Sequence, residues 1–258
     1  MADDDQQEQR EWISNVIDME AGGLKIVGII PARAGSKGLP DKNIHLLLGK
    51  PLIYYTIVTA LAARCLDRVI VSTDSDQIAQ IAKDYGAEVP FIRPAELAVD
   101  DMATLPVVRH AATFLAEQQH YQPDLLVTLQ PTSPLRRSEH IDAAVEIFKK
   151  TQPDMVMSVC EAEHSPYWMR RIESDGRLVS ILPQSEQYTR RQDLPPVYRI
   201  NGAVYVETYS FVCSEANRCP ENIRALVMDR LDSIDIDDEL DIKAAEMELA
   251  VRMGESLR

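Results

Sequence analysis

From residue 24 onward the chain sets short β-branched runs against longer stretches in which apolar positions recur every three or four residues. Residues 24–30 (LKIVGII) read as a strand buried on both faces that stops at Pro31. Residues 51–65 read as a helix with proline in its first turn, and 68–72 as a second buried strand with Thr73 and Asp74 at its C-terminal end. Residues 75–85 form an amphipathic helix closed by Gly86. A short strand is predicted at 89–92, a helix at 104–119, a strand at 125–129, a helix at 138–150 and a strand at 155–159. Strands alternating with helices at this spacing imply a parallel sheet wound by right-handed crossovers, an architecture of nucleotide-binding type. Fold alone does not fix function.

After Glu161 the texture changes. Residues 169–182 alternate around Asp175 and Gly176, a hairpin signal with the turn at the DG pair. Residues 184–200 are polar and broken by proline, and 203–206 are again strand-like. This insertion, within about 165–220, is expected to be an arm pairing with a second subunit or a lid over a site. A last helix is expected at 239–253, with Ala, Met and Leu on one face. Residues 1–23 form an acidic extension in which Trp12, Ile13, Val16 and Ile17 would make one apolar stripe on a short helix, or a frayed segment. Residues 24–258 are one domain, and no internal repeat is present.

Charge narrows the partners. The 258 residues carry a formal net charge of −14, of which −6 falls in residues 1–20 and −6 in residues 229–258. An acidic chain without a basic block is a poor binder of nucleic acid or anionic membrane. The longest nearly apolar stretch, 52–63, is too short to span a bilayer, and the N-terminus is acidic where a signal peptide would be basic, so a soluble cytoplasmic protein is expected. Cys65, Cys160, Cys213 and Cys219 form no CxxC pair and read as small buried hydrophobes rather than a disulfide framework. The five histidines have no zinc-binding spacing. His164, in a loop after a strand, is the one to watch, with a structural role favoured.

Three constellations carry candidate chemistry. The loop at 32–43, ARAGSKGLPDKN, places Arg33, Lys37 and Lys42 with Gly35 and Gly38 directly after the first strand. In an open α/β sheet ligands bind at that edge, glycines admit close backbone approach to an anion, and cations neutralise polyphosphate. The loop matches neither the GxxxxGK[ST] nor the GxGxxG pattern. In the second, DSIDIDDELD at 232–241, Asp235 and Asp237 are two apart, so on extended backbone both carboxylates point to one side. Two hard oxygen ligands with the remaining positions left to water and phosphate suit Mg²⁺, while Asp237 to Glu239 would also favour the following helix dipole. The third is Arg190, Arg191 and Arg199 in the insertion, able to clamp a second anion such as a carboxylate, or simply to keep the surface solvated. Gln130, after the strand at 125–129, is placed to hydrogen-bond a ligand at the sheet edge. No nucleophile–base arrangement stands out, so the set suggests nucleotidyl transfer without a covalent intermediate, driven by positioning and charge neutralisation.

These strings, with VIVSTDSDQIAQIAKDYGAEV, RPAELAVD, LQPTSPLR, RRQDLP and RINGAVY, lie in the order seen in the CMP-sialic acid synthetases (acylneuraminate cytidylyltransferases), which the chain resembles from about Lys25 to Ala250. The resemblance implies a Rossmann-like α/β domain with a mostly parallel sheet, a protruding dimerisation arm and a homodimer in which one arm closes the other subunit's site. It implies Mg²⁺-dependent transfer from CTP to a nine-carbon 2-keto sugar acid, giving the CMP-sugar and pyrophosphate. By match to the family's motifs, Arg33, Ser36, Lys37, Lys42, Asn43, Arg93 and Thr104 would contact the nucleotide. Gln130, Arg191, Asn201 and Tyr205 would face the sugar acid, Asp235 and Asp237 would hold Mg²⁺, and Lys42 with Arg190 or Arg191 would serve turnover.

One departure concerns the sugar: some bacterial members have a lysine shortly after the HxP element, where Tyr167 and Trp168 follow His164 to Pro166 here. A sialic acid, its deaminated analogue or a legionaminic or pseudaminic acid would each fit an aromatic pair. Three rivals stand beside this reading: the same chemistry on the eight-carbon Kdo, a catalytically silent nucleotide-binding protein, and a transferase using a sugar 1-phosphate.

Overall fold

The computed structural model describes residues 23–35, 38–183, 187–214 and 220–254. The apolar stripe expected in the N-terminal extension, Ser36, Lys37 and Cys219 lie outside the described residues.

The β-branched runs become the sheet. Strand β1 (Ile26–Pro31) is flanked by β2 (Arg68–Ser72) and β3 (Leu125–Thr128), both parallel to it. Further out come β4 (Met155–Glu161), the β5–β6 hairpin (Arg170–Ile172 and Leu178–Ser180), β7 (Tyr198–Thr208) and β8 (Ile223–Val227). The six-stranded sheet runs β8-β4-β7-β3-β1-β2. Strand β7 is antiparallel to both β3 and β4, so the sheet is mixed and mostly parallel, as the resemblance implies. The reason is that β7 returns from the arm rather than from a crossover helix, and antiparallel insertion needs no such helix.

Helices α1 (Leu52–Ala62), α2 (Asp76–Asp84) and α4 (Ser138–Thr151) bury Ile53, Ile57, Ile78, Ile141 and Phe148 against one face of the sheet. On the other face α3 (Thr104–Gln118) and α5 (Tyr209–Cys213) pack Val108, Leu115 and Val212 onto Val27, Ile29 and Leu126. Helix α2 is capped by the Ser75 hydroxyl, which accepts from Ile78 N–H, and ends just before Gly86, whose φ of 93° is one that glycine adopts freely. A third cluster joins Leu39, Leu47, Leu52, Leu135 and Ile236 to Ile242 and Ala245 of α6 (Glu239–Arg252), so α6 packs beneath the loop that follows β1.

Three local expectations are corrected. Residues 89–92 are not a strand: a lone bridge pairs Glu88 with Ile70, and Pro90, lacking an N–H, cannot carry the ladder further. Strand β7 covers eleven residues where four were expected, and β8 was not foreseen. Helix α6 buries Ile242, Ala245 and Ala250, while Leu240, Met247 and Met253 face outward, because the buried stripe is set by contact with the third cluster and not by side-chain size. Cys160 is buried and Cys65 and Cys213 half-buried, all as free thiols, with burial pushing the Cys65 thiol up to about 12. Among the described residues no helix is long and apolar enough to cross a membrane.

Candidate functional site

The loop after β1 is tied down at both ends. Ala32 N–H donates to the Ser72 carbonyl, and Ala34 N–H donates to Asp74 Oδ1 at 2.8 Å, so the end of β2 holds the start of the loop. Asn43 is buried and its amide donates to the Arg33 carbonyl at 2.9 Å, closing the loop on itself. Gly35 has φ 61°, and a Cβ on Gly38 would sit 2.7 Å from the Asp237 carbonyl oxygen. Only glycine lets the loop approach residues 235–237 this closely. Lys42 completes the junction: its ammonium donates to the Ile236 carbonyl at 2.7 Å and to Asp237 Oδ1 at 3.0 Å.

The acidic run at 232–241 divides into three jobs. Asp232 is buried in an ion-pair cluster with Arg137 and Arg252, with the His140 ring alongside at 3.3 Å. Asp238 caps α6 by accepting from Leu240 and Asp241 N–H, while the Asp241 carboxylate accepts from Asp237 and Asp238 N–H. That leaves Asp235 and Asp237. Burial holds the Asp235 carboxyl above the usual range, opposed by a Thr132 hydrogen bond and reinforced by the nearby Asp237 charge. Ionising both carboxylates is therefore favoured by a further cation beside Lys42. Two hard oxygen donors, one half-buried and one exposed, fit an ion that takes its other ligands from phosphate and water. Among the described residues no cluster of three or more His, Cys, Asp or Glu side chains could hold a metal ion.

A cavity of about 250 Å³ opens where these segments meet, and it brings together Arg33, Lys42, Asn43, Arg93, Thr104 and Gln130. Arg33 pairs with Asp100 at 2.7 Å on its rim. Arg93 is almost fully buried, bonded through Nε to Ser72 Oγ at 3.1 Å and through Nη2 to the Ser72 carbonyl. Burial lowers it to about 10, helped by Arg33 and opposed by Asp74, so it stays a cation at neutral pH. Thr104 begins α3, whose N-cap residue Ala103 offers no side-chain acceptor to the helix N–H groups. Such a terminus is hospitable to an anion.

The residues expected to face the sugar separate. Gln130 lines the cavity and lies over Gly202, whose Cβ would be 3.9 Å from its amide. Tyr205 is half-buried on β7 opposite Thr128, its phenol raised by burial and by the Asp235 and Glu207 charges. Asn201 is buried: its amide donates to Ser233 Oγ at 2.9 Å and its carbonyl accepts from Ser158 Oγ at 2.6 Å. Its polar atoms are thus engaged within the protein, and a direct ligand contact would have to displace them. The three arginines of the insertion do not converge. Arg190 pairs with Asp193 at 2.7 Å, and Arg199 donates to the Ser233 carbonyl at 3.1 Å. Arg191 lines a second, larger cavity of about 730 Å³ with Glu163, His164, Trp168, Pro195 and Arg230. His164 is exposed there, and the Trp168 indole donates to the Tyr188 carbonyl at 3.0 Å while the Tyr167 and Tyr188 rings meet edge to face.

Sequence reasoning placed Asp74 only at the end of the second strand and missed Thr132 and Arg136. Thr132 and Arg136 lie inside the LQPTSPLR string, but which members of a polar loop turn inward is decided by packing that the string does not display.

A family model described as Cytidylyltransferase matches residues 27–250. The chain belongs to the CMP-sialic acid synthetase family of cytidylyltransferases. Within that family it is similar to a CMP-N,N'-diacetyllegionaminic acid synthase of Legionella pneumophila, 41% identical over 84% of this chain and 93% of that protein. It is 34% identical to an N-acylneuraminate cytidylyltransferase of Escherichia coli over 86% of this chain and 51% of that longer protein. The fold matches a CMP:2-keto-3-deoxy-manno-octonic acid synthetase solved with CTP, at TM-score 0.67 and 17% identity, covering 88% of this chain and 99% of that one.

Proposed function

We propose that the protein is a nonulosonic acid cytidylyltransferase: the anomeric hydroxyl of a 2-keto sugar acid attacks the α-phosphorus of CTP, releasing its proton to water as the new P–O bond forms and the bond to the departing pyrophosphate breaks. The observation that carries this reading is the Lys42 junction: Lys42 lines the cavity, and its ammonium donates to the Ile236 carbonyl and to Asp237 Oδ1, tying the cationic loop to the acidic run. Arg33, Lys42, Asn43, Arg93 and Thr104 line that cavity as a polyphosphate site requires, and in this reading the fixed cations offset charge as it develops on the phosphates. Asp235 and Asp237 would hold Mg²⁺, which when bound offsets charge on the phosphates and on the departing pyrophosphate. Gln130 and Tyr205 are assigned to the sugar side, and Arg191 to its carboxylate.

Among sugars, a 5,7-diamino acid of the legionaminic type is taken as the leading candidate on the 41% identity to the Legionella pneumophila enzyme alone, the other legionaminate and N-acylneuraminate relatives lying together at 33–35%. The working form is proposed to be a homodimer, supported by Ile172 (74% exposed) and Leu178 (66%) on the arm hairpin. The test is pyrophosphate release from CTP and Mg²⁺ with a panel of sugar acids. Release with N,N'-diacetyllegionaminic acid in preference to N-acetylneuraminic acid is expected. Release with none of the nonulosonates defeats the enzymatic reading, and release with a sugar 1-phosphate replaces it.

A further inference from the structure

Arg136 is 2% exposed and has no carboxylate partner among its hydrogen bonds. Its Nη1 donates to the Gln130 carbonyl at 3.1 Å and to the Ala203 carbonyl at 2.8 Å, and its Nη2 donates to Thr56 Oγ1 at 2.7 Å. Nε is buried without a partner. One guanidinium therefore joins α1, the segment after β3 and strand β7 through neutral acceptors alone. A buried cation satisfied only by neutral groups is costly, and a hydrophobic side chain of similar size fills such a place at no such cost. Stability does not account for it.

What the guanidinium fixes does. The Gln130 carbonyl, also approached by Thr56 Oγ1 at 3.4 Å, starts the segment 130–132 that lines the nucleotide cavity. Two residues on, the Thr132 carbonyl accepts from Ile236 N–H at 2.8 Å, which pins the backbone beside Asp235, and the Thr132 side chain favours the ionised Asp235 carboxylate. The chain of contacts runs from Arg136 through Gln130 and Thr132 to the backbone of Ile236, next to the carboxylate assigned to the metal. We propose that Arg136 is a positioning residue, whose rigid fork holds segment 130–132 so that Thr132 orients Asp235 and the Gln130 side chain faces the sugar acid. The proposal rests on the cytidylyltransferase reading. Lysine retains the charge but not the fork, so charge and geometry are separable.

The test compares R136K, R136M and T132V with the wild type by unfolding midpoint, by kcat and KM for CTP, and by Mn²⁺ binding followed by electron paramagnetic resonance in the presence of CTP. For folded R136M and for T132V, loss of metal orientation predicts a kcat decrease and a weaker Mn²⁺ site of about 10–100-fold each, the range for residues that orient metal ligands. R136K should fall between R136M and the wild type. A folded R136M that only unfolds at lower temperature, with kcat and Mn²⁺ affinity of the wild type, overturns the proposal. If R136M does not fold, wild-type values in both R136K and T132V overturn it equally. A wild type that releases no pyrophosphate sinks the reaction reading instead, and the Mn²⁺ comparison still decides the role of Arg136.

Discussion

The Lys42 ammonium lies 3.0 Å from Asp237 Oδ1, across 195 positions of sequence, and this pair joins the first loop of the chain to its last acidic run. The Lys42 side chain is mostly buried while that of Asp237 is 80% exposed, so the carboxylate keeps its open side free for another cation. Replacing Asp237 by Ala should therefore leave the fold intact, because the carboxylate is exposed and Lys42 keeps its bond to the Ile236 carbonyl. The unfolding midpoint should move by less than about 4 °C, whereas turnover should fall by about 100-fold or more if several kcal/mol of charge stabilisation depend on the ion held there. Full activity of D237A would remove the metal assignment.

That junction also shows what could and could not be read from sequence. Strand β2 and the turn of the β5–β6 hairpin were legible to the residue, since a β-branched run and a DG pair act locally. The cationic loop and the Asp235–Asp237 pair stood out in the sequence as candidate chemistry. Their meeting did not, because it depends on α6 packing its Ile242–Ala245 face beneath the loop. The antiparallel course of β7 and the burial of Asn201 were hidden for the same reason: both are set by neighbours distant in sequence.

Gly38 tests how tightly the loop must close. Its added Cβ would meet backbone, the Asp237 carbonyl at 2.7 Å, and backbone cannot swing aside as a flexible side chain would. G38A should cost about 1–3 kcal/mol as an overpacked contact, and it should raise KM for CTP as Lys42 and Asp237 are pushed apart. Calorimetric unfolding with steady-state kinetics checks both; a variant with unchanged KM would show that the loop and the acidic run need not touch.

The two arginines of the RRQD string should differ. Arg190 is held by Asp193 at 2.7 Å in an exposed pair, while Arg191 lines the larger cavity. R191M should lower kcat/KM for the sugar acid by about 10–100-fold, the value of one charged hydrogen bond of roughly 1.5–3 kcal/mol. R190M should stay within about threefold of the wild type, since screened surface pairs contribute under about 1 kcal/mol. The reverse order would assign the anion contact to Arg190.

Association should run through the arm. Ile172 and Leu178 stand opposite each other across the hairpin at 74% and 66% exposure, more apolar surface than an isolated ribbon leaves in water without a partner. Sedimentation of the wild type should show a dimer, and I172E with L178E should shift it toward monomer. A wild type that sediments as a monomer at all concentrations tested would refute the homodimer.

Glu207 gives a prediction in pH. It is buried on β7, opposite Leu126 on β3 and Met155 on β4, and burial pushes its carboxyl from 4.5 up to about 7. Because the folded value lies above the unfolded one, the folded protein keeps a proton that the unfolded chain releases. The stability associated with that proton is fully present below about pH 4.5 and is lost as pH rises to about 7. At 1.36 kcal/mol per unit, the loss is on the order of 3 kcal/mol. Glutamine keeps the shape and cannot ionise, so the stability difference between E207Q and the wild type should grow in favour of the variant from pH 5 to pH 8. Urea unfolding at four pH values measures this directly, and a constant difference would mean that Glu207 ionises freely in the fold.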